Sequence, residues 1–109
     1  MSKLTRDFKE TVQQRASQDN DFAVALFNEA TTLFLNGEPE IARLVLRDLV
    51  NATVGFEELS KVTNRPSKSL HRMLSNRGNP TMENLTTIFK VLKEKLNVAI
   101  SVEMISQPS

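Results

Sequence analysis

Cysteine is absent from this chain of 109 residues, which excludes disulfides and thiolate metal sites. Histidine occurs once, at His71, so no second imidazole can complete a metal site and no Cys–His pair can form. The three glycines stand far apart, at positions 37, 55 and 78, and no glycine-rich phosphate loop exists. No apolar run approaches the roughly 18 residues of a membrane span. The opening Met-Ser-Lys-Leu-Thr-Arg-Asp has no apolar stretch of a secretory signal. The acidic pairs Glu38/Glu40 and Glu57-Glu58 fall at expected helix N-termini, where the helix dipole accounts for them without catalysis. Together these absences argue against an enzyme, a cofactor or a metal centre. They point to a cytoplasmic protein, of a length that suits one domain with a modest core.

Negative charge is missing from one stretch. The net charge of +1 hides a basic segment: residues 59 to 82 hold five Lys/Arg (Lys61, Arg65, Lys68, Arg72, Arg77) and no Asp or Glu. Residues 1 to 58 carry six basic and ten acidic side chains, and residues 83 to 109 carry three of each. A basic segment on an acidic body is the electrostatic footprint of a nucleic-acid binder. A solvated basic face would give the same count, so charge alone leaves both readings open.

The apolar pattern is helical almost throughout. Leu4, Phe8, Val12 and Ala16 form a narrow stripe over residues 5 to 18. Asp19-Asn20-Asp21 offers capping oxygens to a helix from Phe22 to about Asn36, with Phe22, Leu26, Ala30 and Leu33 on one face and Phe27 and Phe34 beside it. Gly37 is suited to the left-handed position that ends such a helix. Pro39 opens the next, which runs to about Asn51 with Ile41, Leu44, Val45 and Leu49 inward and Leu46 and Val50 widening the stripe. Two short helix patterns follow, residues 56 to 63 and 66 to 75, broken at Asn64-Arg65-Pro66. After the loop Asn76-Arg77-Gly78-Asn79-Pro80, Thr81 caps a last helix carrying Leu85, Ile88, Phe89, Leu92 and Leu96. The period then changes to two. Val98, Ile100, Val102 and Met104 alternate with Ala99, Ser101 and Glu103, which predicts one short strand. A lone strand calls for a partner, and two copies paired across a twofold axis would make a dimer.

The two short patterns have the layout of a helix-turn-helix, whose second helix enters the DNA major groove. Phe56, Leu59 and Val62 should face inward from the first, and Leu70, Met73 and Leu74 from the second. Ser67, Lys68, Ser69, His71 and Arg72 are left pointing outward, where Arg and Lys can donate to guanine and Ser to bases or phosphates. Lys61, Arg65, Asn76 and Arg77 flank the helix and suit phosphates. Gly78 would allow close backbone approach, to DNA or within the turn.

These residues carry a resemblance. Gly55 to Leu59, Pro66 to Leu70, the run Met73-Leu74-Ser75-Asn76-Arg77-Gly78-Asn79-Pro80-Thr81, and the segment from Asn97 to Glu103 look like the addiction-module antidote (antitoxin) proteins, small bacterial regulators of the lambda-repressor-like helix-turn-helix superfamily. The resemblance covers about residues 20 to 104. It implies an all-α, lambda-repressor-like helix-turn-helix bundle over residues 37 to 105, ending in one short β-strand. An N-terminal helical extension, 1 to 36, packs on the body, and 106 to 109 form a tail. It further implies a repressor that is dimeric on an inverted-repeat operator in double-stranded DNA and often accompanies a RelE-like toxin; the strand pattern itself offers Val98, Ile100, Val102 and Met104 as the dimer contact, with addition to a toxin's sheet or packing on the body with one edge wet as alternatives. The base readers carried over are Ser67, Lys68 and Arg72. Pro66 stands where the group usually has a capping Ser or Thr. Two other roles compete: a stand-alone regulator without a toxin, and a protein-interaction module whose acidic half binds a basic partner.

Overall fold

The computed structural model describes residues 3–108, with side chains from Thr11 onward. Leu4 and Phe8, the start of the first expected stripe, lie outside the described side chains. Six helices follow one another: α1 (Lys3–Gln18), α2 (Asn20–Leu35), α3 (Pro39–Ala52), α4 (Phe56–Thr63), α5 (Ser67–Met73) and α6 (Met82–Leu96). The Cα radius of gyration is 14.1 Å, close to the ~13 Å of a compact chain of this length. No described helix is long and apolar enough to cross a membrane.

The helix boundaries follow from local chemistry. The Asp19 carboxylate accepts from the Phe22 amide at 3.2 Å and starts α2. Gly37, at φ 83°, ends it, and the Glu38 amide donates back to the Leu33 carbonyl at 2.8 Å. Pro39 occupies the first turn of α3, where its missing N–H costs nothing. The Thr81 hydroxyl accepts from the Asn84 amide at 3.1 Å and opens α6.

One core gathers side chains from every helix. Leu46, Leu49 and Val50 of α3 are fully buried against Leu59, Leu70, Leu74, Ile88 and Leu92. From α2, Ala23, Phe27 and Ala30 join the same cluster, and Phe89 of α6 meets Phe27 edge-to-face at 5.5 Å and Phe34 at 6.0 Å. From α1, Ala16 enters the core, and the Gln13 amide donates to Asp48 of α3 at 3.0 Å.

The structure corrects several sequence expectations. No strand occurs among the described residues. Asn97 instead closes α6 in the left-handed conformation, φ 57°, and the Val98 amide donates back to the Lys93 carbonyl at 3.0 Å. Past that cap, residues 99 to 108 have no second segment to pair with, and a strand exists only through its ladder. The phase of α3 is also turned. Ile41 is 53% exposed, while Ala42 and Arg43 are buried. On α2 the fully covered positions are Ala23, Phe27, Ala30 and Thr31, with Phe22, Leu26 and Leu33 only half-buried. The small alanines at 23, 30 and 42 are thus covered as completely as Phe27 and Leu46. Val62, expected inward, is 55% exposed. The helix expected over 66 to 75 is shorter, because Pro66 is its N-cap and Leu74 its C-cap.

Leu70 is wholly excluded from solvent. Leu70→Ala is expected to destabilise the fold by about 2–5 kcal/mol, read as a lower midpoint in urea unfolding. An unchanged midpoint would remove Leu70 as the anchor of α5.

Candidate nucleic-acid interface

Helix α5 is built with a dry side and a wet side. Leu70 and the capping Leu74 are fully buried and Met73 is half-buried, while Lys68, His71 and Arg72 are exposed and Ser67 and Ser69 are half-buried. The spacing does this. Positions 70, 73 and 74 fall on one helical face, and 68, 71 and 72 fall away from it.

The junction from α4 fixes how α5 departs. Asn64 takes the left-handed conformation, φ 55°, and the Arg65 amide donates to the Ser60 carbonyl at 3.2 Å. The Ser60 hydroxyl donates to the Arg65 carbonyl, and the Thr63 hydroxyl to the Leu59 carbonyl at 2.7 Å. Pro66 offers no side-chain cap, but its carbonyl accepts from the Ser69 and Leu70 amides at 3.0 and 3.1 Å. The break read in the sequence at 64 to 66 is therefore a turn closed by Ser60, whose carbonyl and hydroxyl both hold the Arg65 backbone.

A ring contact between α4 and α5 escaped the sequence reading. His71 stacks on Phe56 with ring centroids 3.8 Å apart and planes 20° from parallel. One face of the imidazole is thus used inside the protein, although the residue as a whole stays exposed. A His fifteen positions from a Phe, on another helix, leaves no periodic signal.

The loop after α5 is equally constrained. The Gly78 amide donates to the Ser75 carbonyl at 3.0 Å, and Gly78 is buried. A Cβ there would lie 2.2 Å from the Met73 carbonyl oxygen and 2.6 Å from that of Arg72. The close approach this glycine permits is to the end of its own helix. From this folded-back loop, Asn76 and Arg77 are exposed.

The basic residues expected from the sequence are accounted for as follows. Lys61, Lys68, Arg72 and Arg77 are exposed, and Arg65 is half-buried with its Nε enclosed and without a hydrogen-bond partner. Leaving such a donor unmet costs about 1–3 kcal/mol. In the C-terminal segment, Val98 is half-buried and packs on the core, whereas Ile100, Val102 and Met104 are 38%, 56% and 89% exposed. Ile105, outside the expected alternation, is 80% exposed.

An open concavity elsewhere, where α1 meets α2, is lined by polar side chains including Gln14, Arg15, Asp19 and Asp21, and none of the basic-segment residues reaches it. Among the described residues, no group of three or more His, Asp or Glu side chains gathers as a metal site requires. Comparison with protein-family models, with curated proteins and with solved structures finds no match to this chain.

Gly78→Ala is expected to destabilise the protein by roughly 1–3 kcal/mol, because backbone carbonyls cannot yield as a side-chain tip can. Thermal unfolding checks this, and a wild-type melting temperature would show that the loop does not depend on the close approach.

Proposed function

We propose that the protein is a sequence-specific DNA-binding repressor that uses α4 and α5 as a helix-turn-helix, with α5 in the major groove. One observation carries the reading. Within a stretch that has five Lys/Arg and no acid, Lys61, Lys68, Arg72 and Arg77 face solvent while Leu70 and Leu74 of the same short element are fully buried. A reading helix needs this division, with an apolar rear to fix its angle and donors in front. Lys68 and Arg72, with Ser67, meet base edges. Lys61, Arg65, Asn76 and Arg77 take phosphates. Ser69 and His71 complete the contact surface, His71 with the ring face that Phe56 leaves free.

Titration of the protein with duplex DNA from its own upstream region, at two salt concentrations, tests this directly. Arg72→Ala and Lys68→Ala are each expected to weaken that binding by about 1–3 kcal/mol and to relax specificity. Arg77→Ala is expected to weaken upstream and random duplexes alike and to lower the salt slope by about one. Equal losses on both duplexes for Arg72→Ala would reassign it to phosphate. A wild-type affinity that is salt-insensitive and no better than that of an unrelated acidic polymer would favour the protein-interaction reading.

The proposed repressor is a homodimer joined through its C-terminal segment. The support is the run of exposed apolar side chains, Ile100, Val102, Met104 and Ile105, beyond the cap of α6. Pairing of two such segments would supply the ladder that one chain lacks and set two reading helices ~34 Å apart, as paired half-sites require. Truncation after Val98, which keeps the α6 cap, is expected to give a folded monomer with much weaker operator binding. A truncated protein that still sediments as a dimer would move the interface to the helices. The narrower role, antitoxin to a RelE-like toxin, is carried by the motif resemblance. Co-purification with the product of an adjacent reading frame tests it, and an isolated gene leaves a stand-alone regulator.

A further inference from the structure

Arg43 is the one basic side chain among the buried residues of α3, at 7% exposure. It shares a stripe with Leu46 and Val50, three and seven positions on, both fully buried. Its guanidinium crosses to a segment more than thirty residues away. Nε donates to the Ser75 carbonyl and one terminal nitrogen to the Asn76 carbonyl, each at 3.1 Å. A planar, always-charged fork suits two successive carbonyls as an ammonium does not. Both carbonyls lie just beyond the Leu74 cap, at the negative end of the α5 dipole. The Ser75 carbonyl also accepts from the Gly78 amide, so one oxygen ties the loop to α3 and to itself.

We infer that Arg43 is a positioning residue for phosphate binding, holding the Ser75–Gly78 backbone in the free protein so that Asn76 and Arg77 project beside α5; this rests on the DNA-binding reading above. Without the fork, the loop would keep only its own short-range bonds, Ser75 to Arg72 and Gly78 to Ser75, and the freedom it gained would be lost on binding and oppose complex formation. Arg43 itself lies too deep to meet DNA. Its effect on affinity passes through Arg77 and Asn76, which separates it from an arginine that merely adds stability.

The test uses Arg43→Lys, which keeps the charge, and Arg43→Met, which keeps the length without donors, each alone and combined with Arg77→Ala. Binding to the upstream duplex is followed against salt concentration, at a temperature where circular dichroism shows every variant folded. Each Arg43 variant is expected to lose affinity within about twofold of the loss from Arg77→Ala, and to lower the salt slope by ~0.9, the value of one phosphate contact. Arg77→Ala added to either should cause little further loss, because both act through the same contact. Wild-type affinity and slope in folded Arg43 variants would overturn the inference. So would losses that multiply with that of Arg77→Ala, or unfolding of both variants, which would make Arg43 a purely stabilising residue. If the wild-type protein binds no duplex, the DNA reading itself fails and this inference with it; if it binds and only the coupling is missing, this inference alone fails.

Discussion

A helix of seven residues cannot hold itself together. Nucleating one costs more than so few hydrogen bonds return, and α5 exists because the core takes Leu70 and Leu74 completely. That constraint governs the region proposed to bind DNA. The exposed charges of α5 have a defined direction only because its rear is held against α4 and within the shared core. Phe56, itself buried, adds to this from α4 by stacking on the exposed His71 of α5.

The ends of α5 meet the same difficulty in a different form. So short a helix has almost as many unpaired backbone groups as paired ones. At its start, the Pro66 carbonyl receives two amides and the turn before it is closed by Ser60. At its finish, the Leu70 and Arg72 carbonyls accept from the Leu74 and Ser75 amides, Arg43 from α3 holds the Ser75 and Asn76 carbonyls just beyond, and Gly78 folds the chain against the last turn with no room for a side chain. The loop that presents Asn76 and Arg77 is therefore set by residues that do not themselves face outward. An interface read as a list of exposed basic residues would omit the glycine and the buried arginine that give it shape.

Most of the helices, and the division of α5, were legible in the sequence because they rest on short-range physics. Asp19, Gly37, Pro39 and Thr81 act within a turn of where they stand, and they mark α2, α3 and α6 at nearly the observed bounds. Leu70 and Leu74 could be assigned inward because a four-residue spacing fixes one face. Where the reading failed, the deciding neighbour was remote. Ile41 looks like core in its own helix, yet α3 packs chiefly on α2 and α1, and the face it buries carries Ala42 and Leu46 instead. Val62 completes a three-residue repeat but lies past the point where α4 leaves the core. Arg43 was passed over because a charge is read as outward, although its spacing to Leu46 and Val50 held the signal. The alternation after Asn97 was real, but alternation describes a preference for pairing, and one chain supplies nothing to pair with.

What the sequence determined by itself was the set of helices, their caps, and the concentration of positive charge in a stretch free of acid. These follow from side-chain periodicity and from hydrogen bonds that span four residues or fewer. What only the tertiary structure decided was which positions of α2 and α3 are driest, that a buried guanidinium bridges α3 to the loop after α5, and that Gly78 is reserved for contact with the helix before it. Those depend on where segments distant in sequence come to rest against one another, and pairwise distances of that kind are set by the packing of the whole core.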